Sequence, residues 1–222
     1  MKNKTNFKRK LSLIIKRFFD LILAFILLIP MVIVSMIVGL IIKLEDGGPI
    51  FFVQKRNGYL GKEFNMIKFR TMPINTNTIN FSEEKEITKI GCFLRKTSLD
   101  ELPQILNIIK NDMSFVGPRA WISQYYPYYT TEQKKRFLAK PGITGYAQVF
   151  GRKAINILDR IEKDIYYVEN YSLCLDIRIL LRTFVVLTYQ NNDSLRNTVN
   201  TEYEDLIANY NKVNKNRNHK KD

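Results

Sequence analysis

The sequence predicts an α+β protein, mainly helical, in which one long apolar segment suited to a membrane precedes a compact domain with a small β-hairpin. Three observations carry this: an uncharged run from Leu21 to Ile42, two short β-prone runs flanking Asn57-Gly58, and helical spacing of apolar residues through much of the remainder. The 222 residues allow one sizeable domain with its own core, plus extensions, and no internal repeat is visible. Four stretches follow: a basic segment at 1–20, the apolar segment at 21–43, a folded domain at 44–195 and a basic polar tail at 196–222.

In the first stretch Lys2, Lys4, Lys8, Arg9, Lys10, Lys16 and Arg17 stand ahead of the apolar run. Asp20, at the hydrocarbon boundary, needs a partner, and Lys16 and Arg17 stand four and three residues before it, so "KRFFD" reads as an interfacial ion-pair anchor. The run itself, "LILAFILLIPMVIVSMIVGLII", is long enough to cross a bilayer core of roughly 30 Å as a helix. A cleaved signal peptide fits poorly, because the run is too long and ends in Ile41 and Ile42 with no small-residue cleavage site before Lys43. Pro30 near its middle removes a helix hydrogen bond and predicts a bend, with Ser35 placed to satisfy a freed carbonyl. Both flanks are basic, which favours keeping both on one side of the membrane. A single kinked span and a re-entrant hairpin both satisfy these facts.

After Glu45 the runs Ile50 to Gln54 and Glu63 to Arg70 predict a hairpin around Asn57-Gly58 and Gly61. The polar stretch "PINTNTINFSEEKEITKI" reads as loop or short helix. Two Gly-Pro loops follow, "VGPR" presenting Arg119 and "KPGITGYAQVFGR" ending on Arg152; their glycines permit close backbone approach, and the flanking cations suit phosphate. Ile157, Ile161, Ile165 and Val168 form one helical stripe. Leu173 to Tyr189 is amphipathic and too charged to span a membrane, so it packs on the core or lies at a bilayer surface. "NKVNKNRNHKKD" reads as a solvated, disordered end.

The net charge of +14 suits nucleic acid, anionic lipid or a phosphate-rich ligand. Cys92 and Cys174 make no disulfide framework and read as reduced core residues. His219 in the tail is the sole histidine, which removes Ser-His and Cys-His catalysis and multi-histidine metal sites. Any chemistry must come from carboxylates, lysines, arginines or tyrosines.

That directs attention to "SLDELPQ", where Asp100 and Glu101 stand side by side just after Arg95 and Lys96. Ser98 with Glu101 three residues on fits a capping box, but it would put Pro103 inside the helix. A cap at Asp100 places Pro103 in the first turn and aligns Leu102, Ile105, Leu106 and Ile109 on one face. Both carboxylates then sit at a positive helix end, where they could hold a metal or meet a phosphorylated substrate.

From about Lys16 to Arg182 the chain resembles the bacterial sugar transferase family, the monotopic polyprenol-phosphate phosphoglycosyl transferases. The resemblance rests on "KRFFD", the proline-broken apolar segment, "GGPIFFVQKRNG", "FNMIKFRTM", "LRKTSLDELPQILNIIKNDMSFVGPR", "KPGITGYAQVFGR" and "YSLCLDIRILLRT", in that order. It implies a re-entrant membrane helix hairpin with both ends cytoplasmic and a compact cytoplasmic catalytic domain on the inner membrane of a bacterium. It also implies transfer of a phosphosugar from a nucleotide diphosphate sugar, usually a UDP-sugar, to undecaprenyl phosphate with release of UMP, at the start of a lipid-linked surface glycan. By the same resemblance Asp100 is the nucleophile, forming an aspartyl-phosphosugar intermediate, and Glu101 assists through an essential Mg2+ that the pair would hold or by positioning the reacting groups.

Lys68, Arg70, Arg95, Arg119 and Arg152 match basic motif positions and become the candidates for substrate phosphate, while Lys16, Arg17, Asp20 and Pro30 belong to the anchor. The implied partners are the donor, the polyprenol phosphate and membrane lipid, with self-association open and no nucleic-acid motif present. Ile29 before the proline, Tyr146 and Phe150 in the second loop, and Ala120 after Arg119 depart from the usual family residues. A membrane-anchored basic scaffold without catalysis is the alternative, and it leaves the carboxylate pair without a task.

Overall fold

A computed structural model describes residues 2–73, 87–151, 156–189 and 199–218. The chain opens with α1, Lys2–Asp46, one continuous helix that contains Pro30. The ring removes one hydrogen bond and crowds the preceding turn, at about 3 kcal/mol. Opposing it, Ala24 and Met31 pack with Met66, Ile105, Ile108 and Met113, and Val38 and Ile42 pack with Phe69 and Leu94. This stripe holds α1 along the folded domain over several turns. Ser35 does not take up a freed carbonyl, since its buried hydroxyl has no hydrogen-bond partner. The rest of α1 is bare, with Ile14, Phe18, Ile26, Ile29, Met36 and Leu44 all exposed. It is the one helix among the described residues with the length and composition to cross a membrane.

The "KRFFD" anchor is built differently from the ion pair within one helix that the spacing suggests. Lys16 pairs with Asp176 at 2.7 Å, Arg17 donates to the Ile108 and Ile109 carbonyls at 2.7 and 3.2 Å, and Asp20 accepts from the Phe115 amide at 3.2 Å. Each side chain spends its charge across an interface, because the face of α1 that carries them is the face that docks.

Strands β1, Phe51–Asn57, and β2, Glu63–Phe69, form the predicted hairpin, antiparallel with Phe51 opposite Phe69 and Phe52 opposite Lys68. Helix α2, Lys89–Thr97, is capped by Thr88, whose hydroxyl accepts from the Gly91 amide. Glu45 at the end of α1 also accepts from the Lys89 and Ile90 amides, a carboxylate at a positive helix end. A 3-10 turn, Leu99–Gln104, leads into the short α3, Ile105–Ile109.

β3, Ser114–Val116, and β4, Gly142–Thr144, are a parallel pair that brings the two Gly-Pro loops together. The glycines are explained by that approach: a Cβ on Gly142 would lie 2.1 Å from the Gly117 nitrogen, and one on Gly145 would lie 2.2 Å from the Gly117 oxygen.

Three helices complete the domain after the short α4, Tyr146–Phe150. In α5, Ile157–Glu169, the predicted stripe is buried through Ile157, Ile161 and Val168. α6, Leu173–Tyr189, packs on the core through fully buried Ile179 and leaves Ile177, Leu181, Phe184 and Val185 exposed along the other face. The terminal segment is not uniformly irregular, because Val199–Asn218 forms α7, anchored by fully buried Leu206 and by Tyr210 against Tyr128. Cys92 and Cys174 are free but exposed, on outer faces of α2 and α6, and so are not core residues.

Candidate active site

The acidic pair is presented by a reversal of the chain. Ser98 ends α2 in the left-handed conformation, φ 58° and ψ 16°, with its amide bonded to the Arg95 carbonyl. It therefore caps the end of one helix instead of the start of the next. Asp100 is not an N-cap either; it lies within the 3-10 turn, which accommodates the buried Pro103. The left-handed residue lets Asp100 and Glu101 face back toward β2.

Lys68 of β2 meets them there. Its Nζ donates to Glu101 Oε1 at 2.5 Å and stands 3.9 Å from Asp100 Oδ2, with all three side chains largely buried. Asn107 sets this spacing: its amide nitrogen donates to the Asn65 carbonyl at 2.8 Å, and its oxygen accepts from the Ile67 amide at 3.1 Å. Fully buried, it bonds α3 to the backbone of the strand that carries Lys68. Lys68 is thus a largely buried cation paired with the two carboxylates and not the solvated surface lysine that a polar strand position usually holds.

From the loop after β3, Arg119 places Nη2 3.9 Å from Glu101 Oε1 and keeps about half of its side chain in solvent. Arg95 donates from Nε to Thr71 Oγ1 at 2.9 Å and acts electrostatically on Asp100. Arg70 does not join the group; it is buried against Gly48 and paired with Asp46 at the end of α1. Arg152 lies outside the described residues.

Two residues were missed in the sequence. Arg56 of β1 and Gln104 line the same cleft as Lys68, Glu101, Arg119 and Gly142. Arg56 stood within a recognised motif, but alternation in a short strand does not say which face meets the cleft. Gln104 followed Pro103 with no pattern to mark it.

Electrostatics separates the two carboxylates. Burial pushes the Asp100 carboxyl up, reinforced by Glu101 and opposed by Lys68, Arg95 and Arg119. Burial would raise Glu101 as well, but Lys68, Arg119 and Arg56 together hold it below its ordinary value. Glu101 is thus committed to the charged state by its cations. With Arg56, Lys68, Arg95 and Arg119 around two carboxylates, the cleft retains positive charge for an anionic ligand.

Such a cleft, on a domain strapped to a long apolar helix, is suited to an anionic ligand. A family model described as bacterial sugar transferase matches residues 11–190. The chain is 43% identical over 173 residues to the uncharacterized sugar transferase EpsL of Bacillus subtilis, covering 77% of this chain and 86% of that protein. It is 36% identical to a UDP-glucose:undecaprenyl-phosphate glucose-1-phosphate transferase of Caulobacter vibrioides, covering 80% and 71%. The galactosyl transferase CpsE of Streptococcus agalactiae is 41% identical, and there the chain spans 42% of the relative's length. The chain belongs to the bacterial sugar transferase family and is a phosphoglycosyl transferase.

Proposed function

We propose that the protein transfers a phosphosugar from a UDP-sugar to undecaprenyl phosphate, releasing UMP, with Asp100 as nucleophile. The observation that carries this is the Asp100-Glu101 pair held beneath Lys68 and Arg119. The name of the Caulobacter relative supports this donor and acceptor class, and that of an undecaprenyl-phosphate galactose phosphotransferase of Salmonella typhimurium supports the acceptor.

An Asp100 carboxylate oxygen forms a bond to the sugar-bearing phosphorus, and the bridging oxygen leaves with UMP. A phosphate oxygen of undecaprenyl phosphate then attacks the same phosphorus and returns the electron pair to Asp100, leaving a lipid diphosphosugar. Two displacements let one site serve a soluble donor and a lipid acceptor in turn. Attack by an anion on an anion requires positive charge, which Lys68, Arg95 and Arg119 supply, and Arg119 is exposed enough to meet the donor.

The two carboxylates also offer the hard oxygen donors that Mg2+ prefers, and that ion takes one or two of them with waters and substrate phosphate. Asp100 and Glu101 are the residues that would hold it. When bound, the ion would neutralise charge on the diphosphate.

The same reading puts both flanks of the apolar run on the cytoplasmic side, supported by their bonds to one domain. Arg17 and Asp20 just before the apolar run and Glu45 and Asp46 just after it all bond to the same domain. A straight span over 21–42, about 33 Å of helix, would carry that domain into the bilayer. A re-entrant or in-plane seat for the bare face of α1 avoids this. The lipid product suits the first step of a surface glycan, as the name of the exopolysaccharide production protein ExoY of Sinorhizobium fredii, 34% identical, also suggests.

The test is UMP release from a panel of UDP-sugars by detergent-solubilised protein with Mg2+ and undecaprenyl phosphate. Acceptor-dependent UMP and an acid-labile lipid product are expected. No turnover with any donor, or full activity in Asp100→Asn, contradicts the proposal.

A further inference from the structure

Arg119 reaches the carboxylate pair from a loop, and a loop by itself fixes a side chain poorly. Beneath this loop lies a charged pair that the reaction does not touch. Arg136, in the 3-10 turn Gln133–Leu138, and Asp164 of α5 have side chains that are 0% and 2% exposed. The guanidinium gives Nε and Nη2 to Asp164 Oδ2 at 3.1 and 2.5 Å, and Nη1 to the Tyr129 hydroxyl at 3.4 Å. The rings of Trp121, Tyr129 and Phe137 surround it, with centroids 5.2 to 5.7 Å away.

Nη2 also donates to the backbone carbonyl of Arg119 at 2.7 Å. Asp164 in turn fixes the guanidinium that makes this bond. The backbone carbonyl of Arg119 is therefore held by one member of a buried ion pair whose other member orients it. Next along the loop, Arg56 Nη1 donates to the Ala120 carbonyl at 3.2 Å.

A buried ion pair is weak evidence for stability, since well-packed apolar residues of similar volume often serve as well. What apolar residues cannot do is grip the carbonyl of one chosen residue. We infer that Arg136, fixed by Asp164, is a positioning residue that sets Arg119 over the Asp100-Glu101 pair and thereby the seat of the donor diphosphate. The inference rests on the transferase reading above. It adds residues about which the carboxylate motif is silent, on a helix and a turn remote from it in sequence.

A double-mutant cycle with Arg136→Lys and Arg119→Ala tests it, because residues acting through one another are not additive. The lysine keeps the charge but not the fork, so it can hold Asp164 or the Arg119 carbonyl and not both in the same geometry. In the otherwise native enzyme, Arg136→Lys should lower kcat/KM for the UDP-sugar on the order of tenfold, with KM for undecaprenyl phosphate unchanged. In the Arg119→Ala background the same change should cost less than about twofold.

Equal fold-changes in both backgrounds overturn the inference, as does a lowered melting temperature with unchanged donor kinetics. Should Arg136→Lys fail to fold, Asp164→Asn enters the same cycle, and failure of both to fold assigns the pair to structure alone. Absence of turnover in the wild type defeats the transferase reading instead; the cycle is then read in the affinity for inorganic pyrophosphate, with the same two outcomes.

Discussion

Lys68→Met removes the cation nearest the proposed reacting groups while preserving much of its apolar stem. With an effective dielectric of about 20, the 2.5 Å contact to Glu101 corresponds to a gross attraction of about 7 kcal/mol, and the 3.9 Å approach to Asp100 to about 4 kcal/mol. Desolvation offsets much of this, and breaking a buried pair typically costs about 3–5 kcal/mol. Arg119 remains 3.9 Å from Glu101 and compensates in part, so the low end, about 3 kcal/mol, applies.

If that loss falls on the transition state, kcat/KM for the UDP-sugar drops roughly a hundredfold. The assay is the initial rate of UMP release under donor-limiting conditions, with thermal unfolding in the same detergent to count folded enzyme. A folded Lys68→Met enzyme whose kcat/KM lies within about threefold of wild type refutes the assignment of Lys68 to the site.

Further outcomes follow from the same geometry. Asp100→Asn should lower turnover at least about a thousandfold while leaving the melting temperature near that of wild type, measured by UMP release and calorimetry. Gly142→Ala should destabilise by about 3 kcal/mol or more, because its Cβ meets the Gly117 backbone; a denaturant midpoint unchanged from wild type contradicts this. Lys16→Met leaves Asp176 buried without its cation and should also cost about 3 kcal/mol, with much of it recovered in Lys16→Met/Asp176→Asn.

Burial pushes the Asp176 carboxyl above its unfolded value, against the pull of Lys16 and Tyr167. The folded state therefore holds the proton more tightly, and this contribution to stability is full below the unfolded value and lost as pH rises through the folded one. Asp164 shifts the same way. Urea unfolding across the acidic range should be shallower in its pH dependence for Asp176→Asn.

Local pattern was enough for the hairpin and for α5, because period-2 and helical stripes are written by residues a few places apart. It was enough for the acidic pair too, since the adjacent carboxylates and the surrounding motifs are contiguous. It failed where partners are distant. Lys16 and Arg17 looked like partners of Asp20, yet Asp176, the Ile108 and Ile109 carbonyls and the Phe115 amide outcompete it across the docked face of α1.

Lys68 on β2 and Arg70 just past its end stand two apart and look equivalent in sequence, but Arg70 meets Asp46 while Lys68 meets Glu101. Ser98 carried a capping signature and instead adopts φ 58°, because the chain must reverse there to bring Asp100 back to β2. α7 gave little warning, being polar along most of its length and held through Leu206 and Tyr210. Arg136 and Asp164 are separated by 28 residues, and no spacing rule connects them to Arg119.

The central claim is that Asp100 takes the phosphosugar onto itself. Intact-mass measurement of the protein incubated with Mg2+ and its UDP-sugar, without undecaprenyl phosphate, tests it most directly. The account predicts UMP release stoichiometric with enzyme and a mass increase of one phosphosugar, lost on adding undecaprenyl phosphate and absent in Asp100→Asn. UMP release that begins only when the acceptor is present, from an enzyme whose mass never changes, would contradict it.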